Sequence, residues 1–250
     1  MLKIDIFCVS ETWLNEHIYQ LYNMPNFELF SVHRTNKRGG GVAIYVRDFF
    51  CATVVGDLCM TSSVIEAVFI EFKWGSTKYL FGNLYRPPAS NCIQFLEELN
   101  EILQIIDARF CNHLICISGD MNINILKNVT GNHAVQSYLN LMYSYGMLPK
   151  ILRPTRVTRS TAALIDHIWI NRDDRFSSSS ICLSDISDHF PTFISLKSGT
   201  VRNDDILVRF RNKNVDNWQL FSNRVYSFPW NDLLTSSSAD ALCGMLLDAL

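Results

Sequence analysis

The stretch whose reading decides the fold is Leu114–Ile125, LICISGDMNINI. An apolar run rich in β-branching (Leu114, Ile115, Cys116, Ile117) stops at Ser118-Gly119-Asp120, and Asn122 and Asn124 then alternate with Ile123 and Ile125. Four apolar residues closed by a glycine read as a buried strand of an α/β sheet. Ligands in such sheets gather just beyond the carboxyl ends of the strands, where Asp120 and Asn122 fall. A carboxylate there binds a hard cation, and an amide grips a phosphate oxygen or orients a water. The same residues also suit a plain turn, because Asp and Asn hydrogen-bond their own backbone.

Outward from this strand, apolar runs recur at Ile4–Val9, Gly41–Val46, Val64–Phe72, Tyr79–Tyr85, Ala163–Ile170, Ile181–Leu183 and Phe193–Leu196. Each reads as a strand. Pro87-Pro88 stops the Tyr79–Tyr85 run, since proline cannot donate to a ladder. Phe95, Leu96, Leu99, Ile102, Leu103 and Ile106 share one face of a helix, with Asn91 as its N-cap. His133–Tyr145 reads as a second helix, closed by Gly146. Ser177–Ser180 reads as an exposed loop. The elements mix without the regular βαβ beat of a doubly wound fold, and the pattern fits two packed, mostly antiparallel sheets with helices on the outer faces. Residues 199–250 change in composition and read as a linker.

The chain has 250 residues and a net charge of −2, from 22 Lys+Arg and 24 Asp+Glu. Bulk positive charge is therefore not how it meets a polyanion; local patches or a bound metal must supply the attraction. Its 8 cysteines include no CxxC pair and no zinc-finger spacing, and several lie inside apolar runs, which suits a reducing compartment. No run of 18 apolar residues exists to span a membrane. The N-terminus, MLKIDIFCVSETWL, has a short apolar part interrupted by Asp5 and is a poor signal peptide. An intracellular location, nuclear or cytoplasmic, is expected.

Polar clusters punctuate these strands. Ser10-Glu11-Thr12 follows IFCV, Tyr85-Arg86 follows LFGNL, and Asp120-Met121-Asn122 follows ICISG. Asp166-His167 interrupts ALIDHIWI, and Ser187-Asp188-His189 precedes FPTFISL. Each has a bland reading as a helix start, a strand end, a structural histidine or a turn. Asp166 is the hardest to read blandly, because a buried carboxylate needs a partner. Together the clusters support one chemistry. Glu11 and Asp188 can hold Mg²⁺. Asp120 can activate or orient a water. His189 can bond a phosphate oxygen or shuttle a proton once Asp166 fixes its tautomer. Asn122 and Tyr85 are neutral donors for a non-bridging oxygen. The sum is metal-assisted phosphodiester hydrolysis.

SETWL (10–14), RGGGVAIYV (38–46), NLYRPP (83–88), SGDMNIN (118–124), LIDHIWI (164–170) and SDHFPTFISL (187–196) occur in that order. The set resembles the endonuclease/exonuclease/phosphatase family, whose members include deoxyribonuclease I. Its wording is similar to the endonuclease domain of non-LTR retrotransposon polyproteins. The resemblance spans 1–198. It implies a four-layered α/β sandwich, dependence on Mg²⁺ or Mn²⁺, and cleavage of DNA phosphodiesters. It places the metal glutamate on Glu11, the phosphate-contacting tyrosine on Tyr85, and the Asp and Asn of the GDxN motif on Asp120 and Asn122. It sets the Asp–His pair on Asp166 and His189, with Asp188 as a second carboxylate near the metal. It also implies a reverse transcriptase beyond the linker, primed by the 3′ hydroxyl of the nick. The family has an asparagine-bearing strand ahead of the glutamate strand. With the glutamate at position 11 there is no room for it, so a fold lacking that first strand is expected, in a chain truncated at both ends.

Two basic groups suit phosphate contacts. Arg34, Lys37 and Arg38 lie by the glycine triplet. Arg153, Arg156 and Arg159 lie in an acid-free stretch with Thr155, Thr158, Ser160 and Thr161. Two other functions compete: a phosphatase of the same fold acting on a phospholipid or inositol phosphate, and a catalytically inactive remnant that only binds.

Overall fold

The structure, a computed structural model, describes residues 3–35, 38–127, 132–172, 177–184 and 186–196, with 223, 226 and 227 beyond them. In chain order the elements are β1 (Ile6–Ser10), β2 (Phe27–Val32), β3 (Val42–Arg47), β4 (Thr53–Val54), β5 (Met60–Thr61), β6 (Glu66–Trp74) and β7 (Thr77–Tyr85). Then follow α1 (Cys92–Arg109), β8 (Leu114–Asp120), α2 (His133–Ser144), β9 (Leu148–Pro149), β10 (Arg156–Val157) and β11 (Ala162–Ala163). The last are β12 (Asp166–Ile170), β13 (Ser177–Ile181) and β14 (Thr192–Leu196).

Two sheets carry the fold. The larger runs β4-β6-β7-β8-β12-β9, with β5 added on β6. It is antiparallel except where β7 pairs in parallel with β8, because α1 supplies the crossover that parallel neighbours require. The smaller runs β1-β3-β2 and is antiparallel throughout. Alternate side chains of a strand face opposite ways, and β8 shows the consequence. Ile115 and Ile117 join a core with Phe95, Leu99 and Ile106 of α1, Tyr138 and Met142 of α2, and Trp169 of β12. Leu114 and Cys116 join the other core, with Phe81, Ile168 and Ile170 of the same sheet and Val42, Ile44 and Val46 of β3. The large sheet is thus sandwiched between the helices and the small sheet. Both helices are capped by asparagine side chains, Asn91 on α1 and Asn132 on α2, which satisfy amides that the helix itself leaves open.

The mixed α/β sandwich agrees with the sequence expectation, and several local readings are corrected. Ser177–Ile181 is a strand, not a loop, paired residue for residue with β14. Four serines carry little β-propensity of their own; the ladder to β14 provides the backbone bonds that hold them. Phe27–Val32 is a strand that the apolar-run reading passed over, because Glu28 and Ser31 break the run; Glu28 faces out. Among the described residues β1 pairs with β3 alone, so its other edge is open and Phe7 stays 46% exposed. Compactness divides the chain into Met1–Thr200 and Val201–Leu250. Apart from residues 223, 226 and 227, the expected linker lies outside the described residues.

Candidate active site

Register builds the site before any side chain is considered. Tyr85 lies opposite Asp120 on the parallel pair β7–β8, and Asp120 lies opposite Asp166 on the antiparallel pair β8–β12. Paired residues project to the same side of a sheet, so three adjacent strands present Tyr85, Asp120 and Asp166 in a row. The small sheet crosses above, with β1 over β7 and β8. Asn83, two residues before Tyr85 and fully buried, fixes that crossing: its Nδ2 donates to the carbonyls of Val9 (2.9 Å) and Ala43 (3.0 Å). Just past β1 the chain turns through Glu11 at φ 54° and Trp13 at φ 56°. This turn brings the Glu11 carboxylate to the Tyr85 hydroxyl, which donates to it.

The Asp120–Asn122 turn is held from several sides. The Asp120 carboxylate accepts from the Asn122 backbone N–H (3.0 Å) and from Asn122 Nδ2 (3.1 Å). Arg86 brackets the same turn. Its N–H donates to the Asp120 carbonyl (2.9 Å), its carbonyl accepts from Asn122 Nδ2 (2.9 Å), and its Nη1 donates to the Asn122 carbonyl (3.3 Å). The other end of the guanidinium donates to the Ser90 carbonyl, and the group lies 5.6 Å from the centre of the Phe95 ring. Glycine is required at 119. Its φ is +136°, and a Cβ there would fall 1.8 Å from the Leu84 carbonyl oxygen.

His189 Nδ1 lies 2.9 and 3.0 Å from the two oxygens of Asp166. Thr155, fully buried, locks this pair together. Its Oγ1 accepts from the N–H groups of Ile165 (3.2 Å) and Asp166 (3.1 Å), and its carbonyl accepts from the Phe190 N–H (2.7 Å). One threonine thus ties the start of β12 to the segment that carries His189.

Electrostatics binds the groups into one centre. Burial, then the neighbouring Asp166 charge, pushes the Asp120 carboxyl up to about 7, and Glu11 adds to the rise. The hydrogen bond to Asp166 raises His189 above the ordinary imidazole range, against the effect of its own burial. Tyr85 is raised by burial and then by its bond to the Glu11 carboxylate. His167 is a different case. Burial lowers it to about 4, and its ring bonds Tyr138 and the Leu164 carbonyl, so it is a core histidine.

The structure therefore gathers Glu11, Tyr85, Asp120, Asn122, Asp166 and His189 at one end of the two sheets. Asp188, expected beside the metal, instead pairs with Arg156 at 2.6 Å. Arg34, expected on phosphate, pairs through Nε with the fully buried Glu66. Arg38 lies 5.6 Å from the centre of the Trp13 ring, and Lys37 lies outside the described residues. Arg153 and Arg159 are exposed. Thr155 is buried and bonded rather than open to phosphate, and the Thr158 and Thr161 hydroxyls bond each other at 2.7 Å. Sequence reasoning gave no role to Arg86, Asn83 or Glu66. An acid at position 66 in the apolar run VIEAVFIEF and an arginine inside YRPP are the available signals.

One ligand atom from each of Asp120, Asp166 and His189 lies within 4.8 Å of the others. Two carboxylates crowded with an imidazole, one of them pushed up by its neighbour's charge, carry negative charge that a divalent cation relieves. The carboxylates fit such an ion, with the imidazole beside them.

A two-sheet α/β sandwich with these groups at its strand ends has the endonuclease/exonuclease/phosphatase fold. The likenesses are specific. The endonuclease domain of TRAS1, a telomere-specific non-LTR retrotransposon, is 15% identical at a TM-score of 0.61, over 77% of this chain and 85% of that one. An endonuclease/exonuclease/phosphatase family protein from Leptotrichia buccalis is 17% identical at a TM-score of 0.55, over 78% and 87%. D. rerio TDP2 complexed with single-strand DNA product is 13% identical at 0.54, over 76% and 84%. No family model matches the sequence, and no curated protein does.

Proposed function

We propose that the chain is a metal-dependent phosphodiesterase that nicks DNA, the endonuclease of a non-LTR retroelement. The supporting observation is the convergence of Asp120, Asn122, Asp166, His189, Tyr85 and Glu11 on one strand-end row, in a fold shared with the TRAS1 endonuclease domain. In this reading the residues after 198 lead toward a reverse transcriptase in the same polyprotein. The protein would act where its DNA is, in the nucleus or, before entry, in the cytoplasm. No described helix is long and apolar enough to cross a membrane.

The roles follow from position. Asp120, near half-protonated at neutral pH, accepts a proton from an attacking water. Asn122, locked at φ 47°, holds Asp120 in place through the two bonds it gives that carboxylate. His189, which Asp166 makes the more ready to hold a proton, donates to a phosphate oxygen or to the leaving group. The Tyr85 hydroxyl is neutral at working pH and orients Glu11. Glu11 and Asp166 would hold Mg²⁺ or Mn²⁺, which would supply charge neutralisation at the scissile phosphate when bound.

The test is conversion of supercoiled plasmid to open circles. Cleavage is expected with Mg²⁺ or Mn²⁺, is expected to stop with EDTA, and is expected to be lost in Asp120→Ala and His189→Ala. Plasmid left intact under every metal condition overturns the nicking activity. Release of phosphate from inositol phosphates, with DNA untouched, transfers the site to phosphatase chemistry.

A further inference from the structure

We propose that a groove beside the active centre is a subsite for a nucleotide flanking the scissile phosphate, an inference that rests on the phosphodiesterase reading. His33, Arg34 and Thr35 just after β2 form one wall, Thr61 at the end of β5 with Ser62 and Ser63 after it forms another, and Pro87 closes it. The cavity is about 490 Å³, within the range of pockets that take small organic ligands, and ample for one nucleotide.

Its place follows from the chain. Pro87 comes two residues after Tyr85, so the strand that delivers Tyr85 to the centre continues directly into the wall of the groove. The opposite side of the centre is occupied by His189 and the Arg156–Asp188 pair. A polynucleotide laid across Asp120 from that side passes next over Pro87.

The lining is built rather than incidental. Ser62 Oγ accepts from the N–H groups of Val64 and Ile65 (both 3.1 Å) and donates to Glu98 (2.6 Å), which freezes the loop. Buried Glu66 takes Arg34 Nε and the Gly41 N–H, which fixes the arginine against the wall. The guanidinium makes no further bond among the described residues, so both terminal nitrogens remain for a ligand.

Unbonded hydroxyls line the same space. The hydroxyls of Thr35, Thr61 and Ser63 make no side-chain bond among the described residues, and no carboxylate lines the groove. Hydroxyl groups, the Arg34 guanidinium and a proline ring suit a phosphodiester-linked nucleotide. Arginine and hydroxyl groups bond phosphate and sugar oxygens, and proline offers an apolar surface to sugar or base. Contacts of this kind position a strand without reading its sequence.

The experiment measures two quantities on the purified chain, with thermal melting to confirm folding. The first is binding of a fluorescent oligothymidylate in EDTA, by anisotropy over a salt series. The second is the ratio of kcat/KM for an oligonucleotide to that for bis(p-nitrophenyl) phosphate, a diester too small to fill the groove. The variants are His33→Ala and the double substitution Thr61→Val with Ser63→Ala; Arg34 is left intact so that Glu66 keeps its partner. Oligothymidylate Kd is expected to rise at least fivefold and the kcat/KM ratio to drop at least fivefold. Parental Kd and parental ratio in folded variants overturn the subsite. If the parent hydrolyses neither substrate with any divalent metal, the phosphodiesterase reading falls, and the anisotropy series alone decides whether the groove holds a nucleotide.

Discussion

Replacing Arg86 separates a residue that merely fills space from one that shapes the catalytic turn. Only 6% of the residue is exposed. Its two backbone bonds to the Asp120–Asn122 turn survive replacement by alanine or lysine. What alanine removes is the Nη1 bond to the Asn122 carbonyl, the Nη2 bond to the Ser90 carbonyl and the cover over Phe95. Each of the two carbonyls left unsatisfied costs about 1–3 kcal/mol, so Arg86→Ala is expected to destabilise by about 2–6 kcal/mol. In a chain of this size that lowers Tm by roughly 4–24 °C. The effect on activity is separate. A non-glycine residue at φ 47°, as Asn122 is, costs on the order of 1–3 kcal/mol and persists only where its surroundings enforce it. With one enforcing bond gone, the turn relaxes and Asp120 moves with it. A misplacement of about 1 Å is worth roughly 10²-fold in rate. Arg86→Lys keeps the charge and one donor and should fall between. Thermal melting and plasmid nicking at a temperature well below both Tm values give the two numbers. A folded Arg86→Ala protein with parental kcat would strip Arg86 of its positioning role, and one with parental Tm would refute the assigned bonds as well.

Three other substitutions test separate parts of the structure. Gly119→Ala places a methyl 1.8 Å from the Leu84 carbonyl, which must force β7 from β8; a soluble protein melting within a few degrees of the parent would contradict that geometry. Asp120→Asn tests the raised pKa. An acid whose pKa is about 7 in the folded chain and about 3.9 unfolded makes the parent lose stability as pH rises from 4 to 7, by up to about 4 kcal/mol. In EDTA the Asn variant should therefore be more stable than the parent at pH 8 and comparable at pH 4, and a difference independent of pH would sink the assignment. Arg156→Ala breaks an ion pair whose side chains are 44% and 61% exposed, so stability should change by under about 1 kcal/mol. Binding should weaken alike across DNA sequences, with the salt slope lower by about one unit; a sequence-selective loss would make Arg156 a base reader.

The strands that matter most were legible because their patterns are local. Leu114–Ile117 and Tyr79–Tyr85 are apolar on both faces, and both faces are covered in the structure. The helix over Cys92–Arg109 showed its buried stripe and its asparagine cap in the same way. Ser177–Ile181 was illegible because its strand character comes from β14, not from its own residues. Which basic residues are available for phosphate was also illegible. Arg34 and Arg156 look alike in sequence, yet one is tied to a buried carboxylate and the other to an exposed one. Pairing across 32 positions of chain leaves no trace in local pattern. The same holds for Thr155, which reads as an exposed hydroxyl among arginines until the fold wraps β12 and Phe190 around it.

The two titrating groups at the centre are raised for opposite reasons, and that opposition divides the labour between them. Asp120 is raised because burial and a like charge beside it disfavour its anion. His189 is raised because an opposite charge beside it favours its cation. The same residue, Asp166, acts on both. It stands opposite Asp120 in the β8–β12 register and in contact with His189 Nδ1. A single carboxylate on β12 thus makes its neighbour on β8 a better proton acceptor near neutral pH and keeps the imidazole protonated to a higher pH, ready to donate. Matching acid and base to the working pH in this way is what general acid–base chemistry requires. Removing Asp166 should therefore shift both limbs of a pH–rate profile downward together, and a variant in which one limb stays at its parental pH would overturn this coupling.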